Sequence, residues 1–274
     1  MKALSGIKIV NLAANLPGPA AAQRLSRMGA DVIKVEPPAG DPMEIYYADW
    51  YRDMAAGHTV VRLDLKIQEG KAILLDLLST TDVLITATRP AAMERLGLGP
   101  DALQQQFPRL CQTIIVGYPA PRDNEAGHDL TYQASMGLID PPHMPRTLLS
   151  DMAGAEMTVS SVLALLFNRE RSGVGGHEIV ALSEAALAFA EPLRYGSTVP
   201  GATLGGGIPE YNIYQTVDGW VAVAALEPHF KKRLESALNI ATPEAYRAAF
   251  AGQSCAYWQQ WGQQQDVPIE IVRQ

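Results

Sequence analysis

A strand, a helix and a second strand follow one another at the start of the chain, and this unit limits the fold more than any other feature. The β-branched run G-I-K-I-V-N-L (6–12) predicts the first strand, and D-V-I-K-V-E (31–36) predicts the second. Between them, P-G-P-A-A-A-Q-R-L-S-R-M-G-A opens with prolines and closes after Gly29, a pattern typical of a helix. Such a βαβ unit implies a parallel sheet with a right-handed crossover.

The same alternation continues to about residue 120. Strand-like T-V-V-R-L-D-L, D-V-L-I-T-A and L-C-Q-T-I-I-V-G-Y alternate with helix-like E-G-K-A-I-L-L-D-L-L-S-T-T and a helix over Pro100 to Gln106. Further on, the pattern predicts helices near 129–138, 151–171 and 183–195, with the strand H-E-I-V-A-L before the last. We therefore expect a doubly wound α/β domain built on a parallel sheet.

A second, smaller domain follows a stretch rich in glycine and proline. S-T-V-P-G-A-T-L-G-G-G-I-P (197–209) has the composition of a linker, so we place a large domain at 1–196 and the linker with a small domain at 197–274. Asp218-Gly219 separates two strand-like runs, which predicts a β-hairpin, and helix-like segments come after it. The small domain is expected to be α+β.

Composition and charge exclude several classes of protein. The chain has a net charge of −7 and no run rich in lysine and arginine, which argues against a nucleic-acid surface. No uninterrupted apolar run is long enough for a membrane span, and the first ten residues lack the features of a secretory signal. Cys111 and Cys255 are far apart and show no metal-ligand spacing. We expect a cytoplasmic protein without a bound metal.

The turn after the first strand argues against a dinucleotide cofactor. L-P-G-P-A-A-A contains one glycine, whereas a pyrophosphate-binding turn needs three to let the backbone approach the phosphates. The chain also lacks a P-loop, a G-x-S-x-G nucleophile elbow and an H-E-x-x-H zinc motif.

Several segments, taken in order, resemble one family. They are P-G-P-A-A-A-Q-R-L-S-R-M-G-A-D-V-I-K-V-E-P-P, T-R-P-A-A-M-E-R-L-G-L-G-P, A-G-H-D-L-T-Y-Q-A, D-M-A-G-A and V-A-V-A-A-L-E-P-H-F. Each motif alone is weak, but the order and spacing resemble the class III CoA-transferases, and within them the α-methylacyl-CoA racemases. The chain resembles a shortened member of the family, with a truncated small domain.

The resemblance implies a Rossmann-like large domain, a homodimer whose chains interlock, and an acyl-CoA thioester as substrate. Coenzyme A would then enter as part of the substrate, with no permanently bound cofactor. By position, Lys34 and Glu36 would lie near the adenosine and Arg89 near the phosphates. Without the resemblance, these residues read as ordinary charges at strand ends and on the surface.

The resemblance also assigns a catalytic pair. His128 in G-H-D and Asp151 would lie on opposite sides of the thioester's α-carbon, and Glu227 of the partner's small domain would hold the histidine. Epimerisation needs one group to remove a proton and another to return one on the opposite face. We expect backbone N–H groups of the helix after Asp151 to stabilise the enolate. Simpler interpretations are a solvated His-Asp pair, an Asp N-cap and an exposed glutamate.

Three functions remain open at this stage. The first is an acyl-CoA racemase, and the second is a CoA-transferase in which Asp151 forms a mixed anhydride and then a thioester with CoA. The third is an acyl-CoA-binding accessory protein without catalysis, suggested by the short chain and by M-A-A-G-H-T-V-V-R (54–62), where relatives have an Asn followed by basic residues. The acyl group is not identified by the sequence.

Overall fold

A six-stranded sheet forms the centre of the first unit in this computed structural model, which describes residues 2–273. Every neighbouring pair of strands is parallel, and the spatial order is 3-2-1-4-5-6. The strands are β1 (Lys8–Asn11), β2 (Asp31–Glu36), β3 (Thr59–Arg62), β4 (Val83–Thr86), β5 (Cys111–Val116) and β6 (Gly176–Ala181). This is the doubly wound, Rossmann-like order, so the predicted α/β class is confirmed.

Helices cover both faces of this sheet. They are α1 (Pro17–Arg27), α2 (Pro42–Tyr46), α3 (Ala48–Met54), α4 (Gln68–Leu78), α5 (Pro90–Arg95), α6 (Pro100–Gln106), α7 (Asp129–Ser135), α8 (Leu149–Ser172) and α9 (Leu182–Phe189). Consecutive residues of β1 belong to different hydrophobic cores. Ile9 packs with residues of α1 and α8, and Val10 packs with residues of α4 and α6. Because side chains alternate across a strand, the two cores lie on opposite faces.

The longest helix, α8, packs inside the first unit. It contacts α1, α9, β5 and β6, and it is followed by Gly173, whose φ of 76° is the left-handed conformation that glycine adopts readily. By length and composition α8 is also apolar enough to cross a membrane, in contrast to the expectation from the sequence. Half of its most apolar window is buried within the protein, however, which is typical of a core helix.

The second unit runs from Glu191 onward, and the first ends at Ala190. The second begins with the short helix α10 (Glu191–Arg194), which precedes the glycine-rich stretch where we placed the linker. Its other elements are β7 (Tyr211–Gln215), β8 (Trp220–Ala224), α11 (Pro228–Leu238), α12 (Pro243–Ala251), α13 (Cys255–Gln265) and β9 (Ile269–Ile271). The strands form an antiparallel sheet in the order 7-8-9, with the predicted hairpin turn between Gln215 and Trp220.

An aromatic cluster stabilises the second unit. Phe250 stacks on Tyr214 with ring centroids 4.7 Å apart and lies 4.5 Å from Trp258. The indole N–H of Trp258 donates to the Phe250 carbonyl at 2.9 Å, so the buried polar atom of this large side chain is satisfied. The small sheet and its helices therefore enclose a core of their own.

Candidate active site

The change in strand order between β1 and β4 creates the crevice in which doubly wound sheets bind ligands. The loops that leave these two neighbouring strands line a cavity of about 250 Å³ at the carboxyl edge of the sheet. The turn after β1 is tight because a Cβ on Gly18 would lie 2.1 Å from the Cβ of Ala13. The single glycine of this turn therefore serves close packing, which agrees with the absence of a pyrophosphate-binding pattern.

His128 and Asp151, the predicted catalytic pair, both line this cavity. His128 is exposed and immediately precedes α7. The Thr131 hydroxyl accepts a hydrogen bond from the His128 N–H at 3.1 Å and donates one to its carbonyl at 2.8 Å. These two bonds fix the backbone that carries the imidazole.

Asp151 has an unusual proton affinity for a carboxyl group. Burial, followed by the nearby charge of Asp129, raises its pKa from 3.8 to about 7. It stands in the first turn of α8 as the third helical residue, after Leu149 and Ser150, so the interpretation as an N-cap is wrong. A carboxyl that titrates near neutrality can both accept and donate a proton under ordinary conditions.

Asp129 fixes the position of Asp151 from a buried site. One of its carboxylate oxygens accepts from the Asp151 N–H at 3.1 Å, and the other accepts from Gln133 Nε2 at 2.6 Å. The same Gln133 nitrogen donates to the Thr147 carbonyl at 3.0 Å. The start of α7 is thereby tied to the start of α8, although these segments are 22 positions apart.

The backbone N–H groups that we expected to stabilise the enolate are already occupied. The Asp151 N–H donates to Asp129, and the Met152 N–H donates to the Leu148 carbonyl at 3.0 Å. That expectation was wrong because α8 begins before Asp151, so the groups after it are paired within the helix.

Tyr132 offers another donor at the cavity. Its side chain is buried, yet no residue among 2–273 accepts or donates a hydrogen bond at its hydroxyl. Burial, with the neighbouring Tyr118, Asp151 and Asp129, raises its pKa to about 12, so the phenol keeps its proton. Its ring packs edge-on against Tyr118 at 5.2 Å. A Cβ on Gly117 would lie 2.4 Å from the hydroxyl oxygen of Tyr132, so the lack of a side chain at Gly117 makes room for this hydroxyl.

A larger cavity of about 630 Å³ adjoins the first and shares Ala14, Asn15 and Ala87 with it. Its lining is mostly apolar, with Glu36, Asp64 and Lys66 as charged members. A long ligand whose reactive end occupied the small cavity would extend into this larger one.

The predicted CoA-binding residues have different surroundings. Arg89 is exposed, lines the small cavity and forms no ion pair with any residue in the described part of the chain, so its charge is available to an anion. Glu36 lines the larger cavity, where its carboxylate accepts from the Tyr51 hydroxyl at 2.8 Å. Their contacts with CoA stay predictions.

Lys34 is buried and its charge is balanced internally. Its Nζ lies 2.5 Å from Asp41 Oδ2 and 3.0 Å from Glu36 Oε1, and 4.6 Å from the centre of the Tyr51 ring. Only 3% of the Lys34 side chain is exposed. Its predicted contact with adenosine stays a prediction, but in this structure the ammonium group supports the loop that carries Asp41.

Glu227 lies in the second unit, exposed, at the residue before α11. Its predicted contact is with the histidine of another subunit, and that role stays a prediction.

The sequence did not single out Asp129 or Tyr132 as functional residues. The spacing of A-G-H-D-L-T-Y offered one signal, because Tyr132 lies in the first turn of the predicted helix, four residues after His128. The role of Asp129 had no local signal, since its partner is distant in the chain.

Comparisons with known proteins identify the family of this chain. The family model of CoA-transferase family III matches residues 4–274. The chain is 33% identical over 260 residues to alpha-methylacyl-CoA racemase from Homo sapiens, covering 88% of this chain and 66% of the relative. It is 31% identical over 272 residues to succinate–glutarate CoA-transferase from Agrobacterium fabrum, covering 86% of this chain and 66% of that protein.

A solved structure shows the same fold. The crystal structure of a hypothetical protein from Mycobacterium tuberculosis has a TM-score of 0.84 and 25% identity, with 99% of this chain and 85% of that chain covered. The matched region is just under two thirds of the two curated relatives, and their names describe different reactions. The resemblance seen in the sequence is confirmed, and since the family match extends over nearly the whole chain, this protein belongs to CoA-transferase family III.

Proposed function

We propose that this protein moves a proton reversibly at the α-carbon of a 2-substituted acyl-CoA, and so interconverts the two epimers. The observation that carries the proposal is the pairing of His128 with Asp151 on one cavity, where the pKa of Asp151 is raised to about 7. A carboxyl that binds its proton near neutrality can act as the base in one direction and as the acid in the other, which a reversible reaction requires.

In one direction, the Asp151 carboxylate takes the α-proton and leaves an enolate whose negative charge is centred on the thioester oxygen. The protonated His128 then delivers a proton to the other face of the α-carbon. Asp151 ends protonated and His128 neutral, and exchange with water restores the starting state. The reverse direction uses the same groups with their roles exchanged.

The enolate oxygen needs a hydrogen-bond donor during this step. Tyr132 is suited to it because its protonated hydroxyl is unpartnered among residues 2–273 and belongs to the cavity lining. The exposed charge of Arg89 on the same cavity would favour an anionic part of the ligand.

Solvent deuterium exchange tests this proposal directly. Purified protein is incubated with a 2-methylacyl-CoA in D₂O, and deuterium at the α-carbon is measured by mass spectrometry. We expect incorporation with the wild type and with His143→Ala, a matched control at an exposed histidine, and a loss of about a hundredfold or more in His128→Ala and Asp151→Asn. Undiminished exchange in either site variant would refute the assignment.

CoA transfer between carboxylates is the second candidate, favoured by the similarity to a succinate–glutarate CoA-transferase. The Asp151 carboxylate would attack the thioester carbonyl and expel the CoA thiolate, which leaves a mixed anhydride. The thiolate would then attack the Asp151 acyl carbon, release the first carboxylate and form an enzyme-CoA thioester. A mass increase on the peptide containing Asp151, formed with acyl-CoA and removed by hydroxylamine, would support this reaction over proton transfer.

We also propose that the protein acts as a homodimer in which Glu227 of one chain supports His128 of the other. His128→Ala and Glu227→Gln chains are purified separately, then unfolded, mixed and refolded together. If the two residues meet across subunits, each mixed dimer regains one intact site and activity returns. If they act within one chain, or only as monomers, the mixture remains as inactive as its components.

A further inference from the structure

Asn15 has an unusual backbone conformation and lies where the two cavities meet. Its φ is 64°, in the left-handed region, and only Asn239 and Asp266 share this conformation among the other non-glycine residues from 2 to 273. Those two end helices α11 and α13, where a left-handed residue is ordinary. Asn15 ends no helix, since it lies between β1 and α1. Its conformation therefore needs another explanation.

The surrounding structure holds this backbone in place. The Asn15 N–H donates to Asp41 Oδ1 at 3.2 Å, and the same oxygen accepts from the Met43 N–H at 2.9 Å. The other oxygen of Asp41 pairs with Lys34 Nζ at 2.5 Å, and both of these side chains are buried. A buried ion pair thus fixes the loop that presents Asn15.

The side chain of Asn15 is left free by this arrangement. Asn15 is exposed, and no hydrogen bond joins its carboxamide to the rest of residues 2–273. It lines both the 250 Å³ cavity that holds His128 and the adjoining 630 Å³ cavity. The other two residues common to both cavities, Ala14 and Ala87, have no polar side-chain atoms. Asn15 therefore supplies the side-chain hydrogen-bonding group at the junction.

We propose that Asn15 is a specificity-determining residue that binds an amide group in the arm of the thioester substrate where the arm passes between the two cavities. This inference rests on the proposed function, because an acyl-CoA carries two secondary amides between its thioester and its nucleotide. A carboxamide offers one donor group and one acceptor, which complement the C=O and N–H of a secondary amide. Thioesters whose arms lack these amides would lose this contact.

If Asn15 were needed only for its backbone conformation, a different result would be expected. The variant Asn15→Gly distinguishes this role from amide binding. Glycine adopts a positive φ without strain, so Asn15→Gly keeps the loop conformation and removes only the carboxamide. If the residue were there for its backbone alone, this variant would bind ligands as well as the wild type. If the carboxamide contacts the arm, the variant loses affinity for ligands that contain the arm.

Calorimetric titration with two probes tests the proposal without reference to turnover. The first probe is CoA, and the second is 3′-phosphoadenosine 5′-diphosphate, which has the nucleotide but lacks the arm. We expect Asn15→Gly to weaken CoA binding about tenfold and to leave nucleotide binding within about twofold of the wild type, as fits the loss of one polar contact. Asn239→Gly, the same exchange at a left-handed residue in the second unit, should change neither affinity.

Each other outcome overturns a distinct claim. Equal CoA affinities of Asn15→Gly and wild type, or equal losses for both probes, would overturn the role of Asn15 while leaving the proposed function intact. Failure of the wild type to bind CoA would remove the proposed function and this inference with it. Circular dichroism of Asn15→Gly shows whether the variant keeps its fold. Asn15→Asp serves as a second variant because it lacks the amide donor, and a wild-type CoA affinity in this variant would also overturn the contact.

Discussion

Replacing Asp151 with asparagine should stabilise the protein at neutral pH while it abolishes proton transfer. The pKa of Asp151 is raised from 3.8 to about 7 because the ionised carboxylate is buried beside Asp129. A carboxyl with a raised pKa binds its proton more tightly when folded than when unfolded. The stability it confers is thus fully present below about pH 4 and is lost as the pH rises through about 7. Asparagine is neutral at every pH and avoids that loss.

The size of the effect follows from the change in proton affinity. A rise from 3.8 to about 7 corresponds to about 4 kcal/mol in the free energy of unfolding, since each pKa unit is worth roughly 1.4 kcal/mol. Asp151 also faces the cavity, where water reduces the cost of its charge, so we expect about 2 kcal/mol in practice. The gain should be near zero at about pH 4, grow up to about pH 7 and stay constant above it.

Urea denaturation followed by far-ultraviolet circular dichroism measures this gain at several pH values. Asp140→Asn serves as the control, because the Asp140 side chain is 95% exposed and its replacement should give no pH-dependent gain. If Asp151→Asn were no more stable than the wild type at pH 8, the argument that burial destabilises the Asp151 carboxylate would be refuted. A gain of the same size at every pH would point to packing instead of charge.

Three further changes test neighbouring parts of the site. Asp129→Asn removes the negative charge next to Asp151 and should lower the pKa of Asp151. On the acid side of the pH profile, the pH at which kcat/KM reaches half its plateau should therefore fall by about one unit. An unchanged profile would argue against charge coupling between the two residues. Tyr132→Phe should slow α-proton exchange by about tenfold or more. The free energy of unfolding should change by less than about 1 kcal/mol, because the lost hydroxyl has no hydrogen-bond partner among residues 2–273. Unaltered exchange would exclude the Tyr132 hydroxyl as the donor to the enolate. Gly154→Ala places a Cβ 2.2 Å from a methyl group of Leu182 and should destabilise the protein by about 1–3 kcal/mol in urea; a neutral result would mean that Leu182 moves aside easily.

The first βαβ unit illustrates what local sequence decides. The predicted strands at 6–12 and 31–36 appear as Lys8–Asn11 and Asp31–Glu36, and the predicted helix appears as Pro17–Arg27. These elements are set by local patterns: β-branched runs favour strands, and proline favours the first turn of a helix. The helix Pro100–Gln106 was predicted with the same bounds for the same reason.

The start of α8 shows where local reasoning fails. We considered Asp151 as an N-cap, but the helix begins at Leu149, and the residue before it makes no side-chain cap. The carboxylate that binds a free N–H in the first turn comes from Asp129 on another helix. No pattern within a few residues of Asp151 reveals that contact, so both the helix start and the donors available to an enolate were mispredicted.

The order of the elements, the parallel sheet and the family were predictable from the sequence, because they depend on periodicity, turn residues and motifs that are read along the chain. The chemical state of the charged groups was not predictable in this way. Lys34 looks like an exposed strand-end charge, yet folding buries it against Asp41 and Glu36. Asp151 looks like an ordinary acid, yet burial beside Asp129 brings its pKa to about 7. A group's solvation and charged neighbours come from segments that meet only when the chain folds, so proton affinity is a property of the fold.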